Sequence, residues 1–78
     1  MGVAEDLADQ LAQEALKAEE LTGDERIVDD LANLMGATSQ TAEEAFLTAV
    51  RVRRANIKAR AMLVARIKAF KATQQTDT

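Results

Sequence analysis

The sequence predicts an all-α protein in which two shorter helices pack on one long C-terminal helix. This helical hairpin, or three-helix protomer, is expected to pair into a dimeric helical bundle. Ala, Leu, Glu, Lys, Arg and Gln dominate the chain, and all are good helix formers. Proline is absent, and no stretch has the composition of a strand. Apolar residues instead recur every three or four positions, which is the period of one helical face.

The length limits the chain to one small domain, which we place at residues 1–72. A core in a chain of 78 residues is marginal in stability. The sequence has no cysteine for a disulfide and no histidine, the commonest metal ligand and general base. We therefore expect no enzyme activity, no metal and no cofactor. Association with another chain is the remaining way to bury more apolar surface.

The first predicted helix spans about residues 3–21. Its expected core stripe consists of Val3, Leu7, Leu11, Ala18 and Leu21, with Ala4 and Ala15 beside it. At about 100° per residue, Glu14 falls inside this stripe, where a carboxylate is unusual. Gly23 is suited to end the helix in the left-handed conformation.

The second predicted helix spans about residues 25–35. Its apolar face consists of Ile27, Val28, Leu31, Leu34 and Met35. Two residues are candidates to cap its start. Thr22 forms a capping-box pattern with Glu25, and Asp24 is the other candidate.

The third predicted helix spans residues 41–72, a rod of roughly 48 Å at 1.5 Å per residue. The pattern Thr41-Ala-Glu-Glu44 predicts a capping box at its start. Residues 73–78 are polar and are expected to form a disordered tail.

Two apolar stripes follow the third helix at heptad spacing. The first stripe consists of Phe46, Val50, Arg53, Ile57, Arg60, Val64 and Ile67. The second stripe consists of Ala45, Ala49, Val52, Asn56, Ala59, Leu63 and Phe70. The alanines of this second stripe allow a close helix approach. Two neighbouring helices can therefore pack on this one helix.

Arg53 and Arg60 occupy otherwise apolar positions, with Asn56 close by. A guanidinium in such a seam is costly unless it is paired, or unless its stem is buried and its head reaches water. Because Glu14 is also out of place in its stripe, we predict a buried polar layer in which Glu14 bonds Arg53 or Arg60. The bond lies within a chain or across a two-fold axis, and it fixes register more than it adds stability.

The end of the third helix is expected to extend past the two shorter helices. This leaves an apolar strip without cover: Leu63, Val64, Ile67 and Phe70. A contiguous strip of this kind marks an interface. The sequence therefore predicts a coiled-coil homodimer with antiparallel long helices. Another protein is the alternative occupant of the strip.

Charge is divided between the two halves of the chain. Residues 1–38 carry ten acids and two bases, whereas residues 39–78 carry eight bases and three acids, giving a net charge of −3. The preferred interpretation is that acidic and basic helices face each other, within a chain or between copies. The alternative is a phosphate-binding face on the third helix, formed by Arg51, Arg54, Lys58 and Arg66. An acidic chain with no aromatic residue near its basic run argues against nucleic acid.

The sequence thus predicts a small non-enzymatic protein-interaction module, a regulator or adaptor acting as a homodimer or through a partner helix. A small nucleic-acid-binding regulator is the alternative, and a membrane-surface helix over residues 58–71 is a weaker one. We expect a cytoplasmic protein without a membrane span. No run approaches the roughly 20 apolar residues that a span needs, and the first ten residues lack an apolar signal core.

Overall fold

The computed structural model describes residues 2–76, with side chains described for residues 2–74. It consists of three helices: α1 (Val3–Thr22), α2 (Ile27–Gly36) and α3 (Gln40–Thr76). Helices α1 and α2 pack against α3 and against each other. This confirms the predicted all-α fold with two shorter helices on one long C-terminal helix.

The main difference in helix boundaries lies at the C-terminal end of α3. The helix continues to Thr76, so residues 73–76 are helical and do not belong to a disordered tail. No proline or glycine is present there to end the helix, and the Thr73 hydroxyl bonds back to the carbonyl of Ala69 at 3.0 Å. Residues 77 and 78, the remainder of the predicted tail, lie outside the described residues, as does Met1.

The turn between α1 and α2 depends on Gly23. Its φ is 73°, in the left-handed region, and its N–H donates to the Glu19 carbonyl at 2.8 Å. Thr22 is the last residue of α1, and its hydroxyl donates to the Ala18 carbonyl, so the predicted Thr22 capping box is wrong. The Asp24 carboxylate accepts the N–H of Arg26 at 3.0 Å, directly before α2 begins. Asp24 therefore organises the start of α2.

The turn between α2 and α3 is capped by Ser39. Its hydroxyl accepts the N–H of Ala42 at 3.1 Å, and α3 begins at the next residue, Gln40. The predicted capping box of Thr41 and Glu44 is therefore wrong, because the helix begins before Thr41. The Glu43 carboxylate lies over Gly36, where an added Cβ would be 2.6 Å from its oxygen. A side chain at position 36 would therefore require the flexible Glu43 carboxylate to move.

The core is small and is built largely from alanine. Its buried residues are Ala8, Ala12, Ala15, Val28, Ala32, Phe46 and Val50. In α1 the alanine face is buried, whereas Val3, Leu7 and Leu21 of the predicted core stripe are exposed, so the stripe is wrong at these positions. Its middle is closer to the prediction, since Leu11 and Ala18 are partly buried and Ala15 is buried. Small side chains let α1 approach Phe46 closely, since the distance between packed helices depends on the side chains between them.

Helix α3 is much longer than the part of it that α1 and α2 cover. Its 37 residues span about 55 Å, and the longest dimension of the molecule is 62 Å. Among the described side chains of α3, Arg53 is the last that is partly buried, and every residue from 54 to 74 is exposed. We call residues 54–74 the projecting half of α3. This segment has almost no tertiary cover from α1 or α2.

Candidate protein-interaction surface

Arg53, one of the two arginines in the first stripe, is held by α1. Its Nε donates to Oδ1 of Asp9 at 2.7 Å, and its Nη2 donates to Oδ2 at 2.8 Å. This two-bond geometry is the one in which a guanidinium fits a carboxylate best. The hydrogen bonds with Arg53 are the main cause that lowers the pKa of Asp9; charge attraction adds to it and desolvation opposes it. The same contacts raise the pKa of Arg53.

The predicted polar layer is wrong within a single chain. Glu14 is exposed and forms no hydrogen bond or ion pair with any described residue. Arg60 donates to the side-chain oxygen of Asn56 at 3.1 Å, and both residues are exposed. No polar or charged residue in the described part of the chain is buried. The reason is the orientation of α1, which turns its alanine face inward and places Glu14 outside. A bond from Glu14 to a second copy stays a prediction.

Glu19 joins all three helices, a role that was not predicted from the sequence. One carboxylate oxygen accepts from Nη2 of Arg54 at 3.2 Å, and the other accepts the N–H of Val28, in the first turn of α2, at 3.3 Å. Its side chain is only 15% exposed. The available signal was its spacing, because Glu19 continues the alanine face four residues after Ala15.

The predicted phosphate-binding residues are divided by these contacts. Arg54 is engaged with Glu19 of α1. Arg51, Lys58 and Arg66 are exposed and form no ion pair with any residue that the structure describes. At about 100° per residue, Arg51 and Lys58, which are seven residues apart, share one face of α3. Arg66 lies roughly 60–80° around the helix from these two residues.

The projecting half of α3 exposes large apolar side chains. The predicted strip has exposed fractions of 61% at Leu63, 49% at Val64, 45% at Ile67 and 63% at Phe70. Ile57 and Met62 are exposed as well. This half also carries only basic charges, since residues 45–76 contain no Asp or Glu. The result is a basic amphipathic helix that extends from the core.

Two surface grooves lie between α1 and the first part of α3. The larger groove is lined from α1 by Asp9, Gln13, Leu16, Lys17 and Glu20, and from α3 by Val52, Arg53, Asn56 and Ile57. The smaller groove is lined by Glu5 of α1 and by Glu44, Ala45, Thr48 and Ala49 of α3. Both grooves therefore follow the first half of the second stripe, and both have acidic residues in their walls.

No group of three or more His, Cys, Asp or Glu side chains among the described residues could hold a metal ion. Within residues 2–76, no helix combines the length and the apolar character needed to cross a bilayer. Comparison of the chain with protein-family models, with curated proteins and with solved structures finds no match.

Proposed function

We propose that this chain is a small non-enzymatic protein-interaction module, a regulator or adaptor that acts as a homodimer or through a partner helix. The exposed apolar strip on the projecting half of α3 carries the proposal. Leu63 and Phe70 are more than half exposed. Burial of apolar surface supplies about 25 cal/mol per Å², so an association that covers this strip is favoured.

The spacing within the strip supports recognition by a helix. Leu63, Ile67 and Phe70 follow the pattern i, i+4, i+7, by which an amphipathic helix anchors its apolar face in a groove. The surrounding bases keep the same helix charged on its other sides. These features suit an element that is helical before it binds and buries one face on binding.

The composition supports binding over catalysis. The sequence lacks His and Cys, which removes the usual general base and the most reactive nucleophile. Asp9, Glu19 and Asp24 pair with arginines, and the other described acids lie exposed on the surface except for the partly buried Glu43. Such residues act as structural and steering charges.

Nucleic-acid binding is the alternative, and the exposure of Arg51, Lys58 and Arg66 is the observation that favours it. Phosphate contacts of this kind make affinity fall steeply with salt. The engagement of Arg54 with Glu19 weakens this alternative, because it neutralises one of the four predicted phosphate contacts.

Light scattering across protein concentration and salt, with and without DNA or RNA, tests the proposal. We expect a dimer that forms in high salt and ignores nucleic acid. Leu63→Ser is expected to yield the monomer, whereas Leu34→Ser is the matched control, because Leu34 is an exposed leucine on α2. A monomer that gains mass only with nucleic acid, and loses it in salt, would contradict the proposal and support the alternative.

A further inference from the structure

We infer that the projecting half of α3 docks on a second copy of this chain, along the two grooves between that copy's α1 and α3, with the two α3 helices antiparallel. The inference rests on the proposed function and names its partner and register. Docking is reciprocal, because each copy offers one projecting half and one pair of grooves. Such an exchange closes as a two-fold dimer.

Side-chain size along the second stripe favours this arrangement. The grooves contain the small end of the stripe, Ala45 and Ala49, which are only partly exposed. The projecting half contains the large end, Leu63 and Phe70. Running two copies in opposite directions puts the large end of each on the small end of the other. Closely packed interfaces need this complementarity of volume.

One register uses the whole stripe. It places residue 45 opposite 70, 49 opposite 66, 52 opposite 63 and 56 opposite 59, with the two-fold axis near residues 57 and 58. Arg66 continues the heptad spacing of the second stripe. In this register Phe70 meets Ala45, Leu63 meets Val52 and the stem of Arg66 meets Ala49. The seam extends over about 39 Å of helix.

Charge supports the same orientation. The smaller groove is lined by two acids, Glu5 and Glu44, and by no base. The larger groove is lined by Asp9 and Glu20 together with two bases, Lys17 and Arg53, so its charges balance. The docking segment carries bases and no acid. A parallel pair would instead place the two basic halves side by side and put Phe70 beside Phe70. Antiparallel docking brings opposite charges together, which favours the correct encounter.

The register also gives Arg60 a partner. Arg53 is already bound to Asp9 of its own chain, whereas among the described residues Arg60 bonds only the neutral side chain of Asn56. In the dimer, Arg60 of the second copy arrives opposite Arg53 and Asp9, in the groove that Glu20 also lines. The Asp9 side chain is still 52% exposed and can accept further hydrogen bonds. Two arginines at heptad spacing then contact acidic residues of two different α1 helices.

Cysteine pairing tests the register, because the chain has no cysteine of its own. Val52→Cys and Leu63→Cys proteins are prepared separately, mixed and mildly oxidised. We expect a disulfide between the two variants in the mixture. Neither protein alone should form one, because two copies of residue 52 lie roughly 16 Å apart along the seam. A disulfide needs Cα atoms within about 7 Å.

Each competing arrangement has its own signature. A disulfide between two copies of the Val52→Cys variant indicates parallel helices. A disulfide between the Val52→Cys and Phe70→Cys variants indicates an antiparallel register shifted by one heptad. Lys58→Cys, on the far face, reports random collisions. If any of these exceeds the mixed pair, or if the mixed pair gives no disulfide, the inference is wrong. A protein that associates but gives another disulfide pattern contradicts the inferred register and leaves the proposed function intact. A monomer that binds only nucleic acid contradicts both the inferred register and the proposed function.

Charge reversal gives an independent measurement. Arg60→Glu is expected to weaken the dimer about tenfold or more, because it places a carboxylate against Glu20 and against Asp9, which already occupies Arg53 through two hydrogen bonds. Lys58→Glu makes the same change of net charge outside the seam and is expected to change the dissociation constant less than about threefold. Equal effects of the two variants would show that Arg60 has no specific contact and would overturn its assigned partner.

Discussion

Asp9 and Arg53, which are 44 residues apart in the sequence, join α1 to α3 through two parallel hydrogen bonds of 2.7 and 2.8 Å. The pair lies where the covered part of α3 ends and the projecting half begins. It therefore fixes the position of α1 along α3 at the point where the larger groove forms.

The Asp9–Arg53 pair predicts a pH dependence. The pKa of Asp9 is lowered from 3.8, so the folded state favours the ionised carboxylate. The stabilisation is present above pH 3.8 and is lost as the pH falls through the folded-state pKa. Asp9→Asn should lower the melting temperature at neutral pH, and this difference should vanish in acid. Thermal melts followed by circular dichroism between neutral and acidic pH measure it. Asp6→Asn is the control, and a difference that persists in acid would contradict the assignment.

Glu19 predicts an unequal effect of two substitutions. Glu19→Ala removes the acceptor for the Val28 N–H and the partner of Arg54, and should cost about 1–2 kcal/mol of unfolding free energy. Glu25→Ala, at an exposed position in the turn after α1, should change it by less than about 0.5 kcal/mol. Urea unfolding gives both values. Similar losses would show that Glu19 does not connect the helices.

Substitutions of Ser39 and Thr41 test which of the two residues caps α3. Ser39→Ala should cost about 1 kcal/mol, because the Ala42 N–H then loses its acceptor at the helix N-terminus. Thr41→Ala should be within about 0.5 kcal/mol of the original protein, since Thr41 lies inside the helix and is exposed. Denaturant melts compare the two variants. The reverse order would restore the capping box that the sequence pattern suggests.

The two phenylalanines should separate folding from association. Phe46 is fully buried, so Phe46→Ala is expected to cost about 3–5 kcal/mol and Phe46→Leu about 1 kcal/mol. Phe70 is 63% exposed, and Phe70→Ala should leave the fold of the monomer intact while it weakens self-association. Circular dichroism melts measure the first effect, and sedimentation over a range of concentrations measures the second. A loss of folding in Phe70→Ala at high dilution would show that the projecting half belongs to the core.

The fold class was predictable because helix-forming residues and breaks at Gly23 and Gly36 leave three segments. The face that α1 buries was not. Ranking by hydrophobicity selects the stripe of Leu7 and Leu21, but the structure buries the alanines, which permit closer helix packing. That choice rotates α1 and brings Asp9, not Glu14, to the edge of α3. The sequence correctly predicted that Arg53 has an acidic partner on α1, but it predicted Glu14, whereas the partner is Asp9.

The start of α3 was misplaced for a similar reason. The pattern Thr41 to Glu44 matches a capping box, whereas Ser39 has no acid three residues later. The turn that follows Gly36 fixes the outcome, since the Ser39 N–H bonds to the Met35 carbonyl at 2.8 Å. Ser39 is thereby held at the helix start. A local pattern cannot supply this information, because it depends on how the preceding helix ends.

The absence of cover over residues 54–74 divides one continuous helix into two regions of unequal amide protection. Amides between Phe46 and Arg53 should exchange with deuterium mainly through global unfolding, because the core holds that segment. Most helical stability in proteins comes from tertiary packing, which the projecting half does not receive from α1 or α2, so its amides should exchange through local fraying. Docking should then slow this exchange, because a docked helix must leave the groove before it can fray.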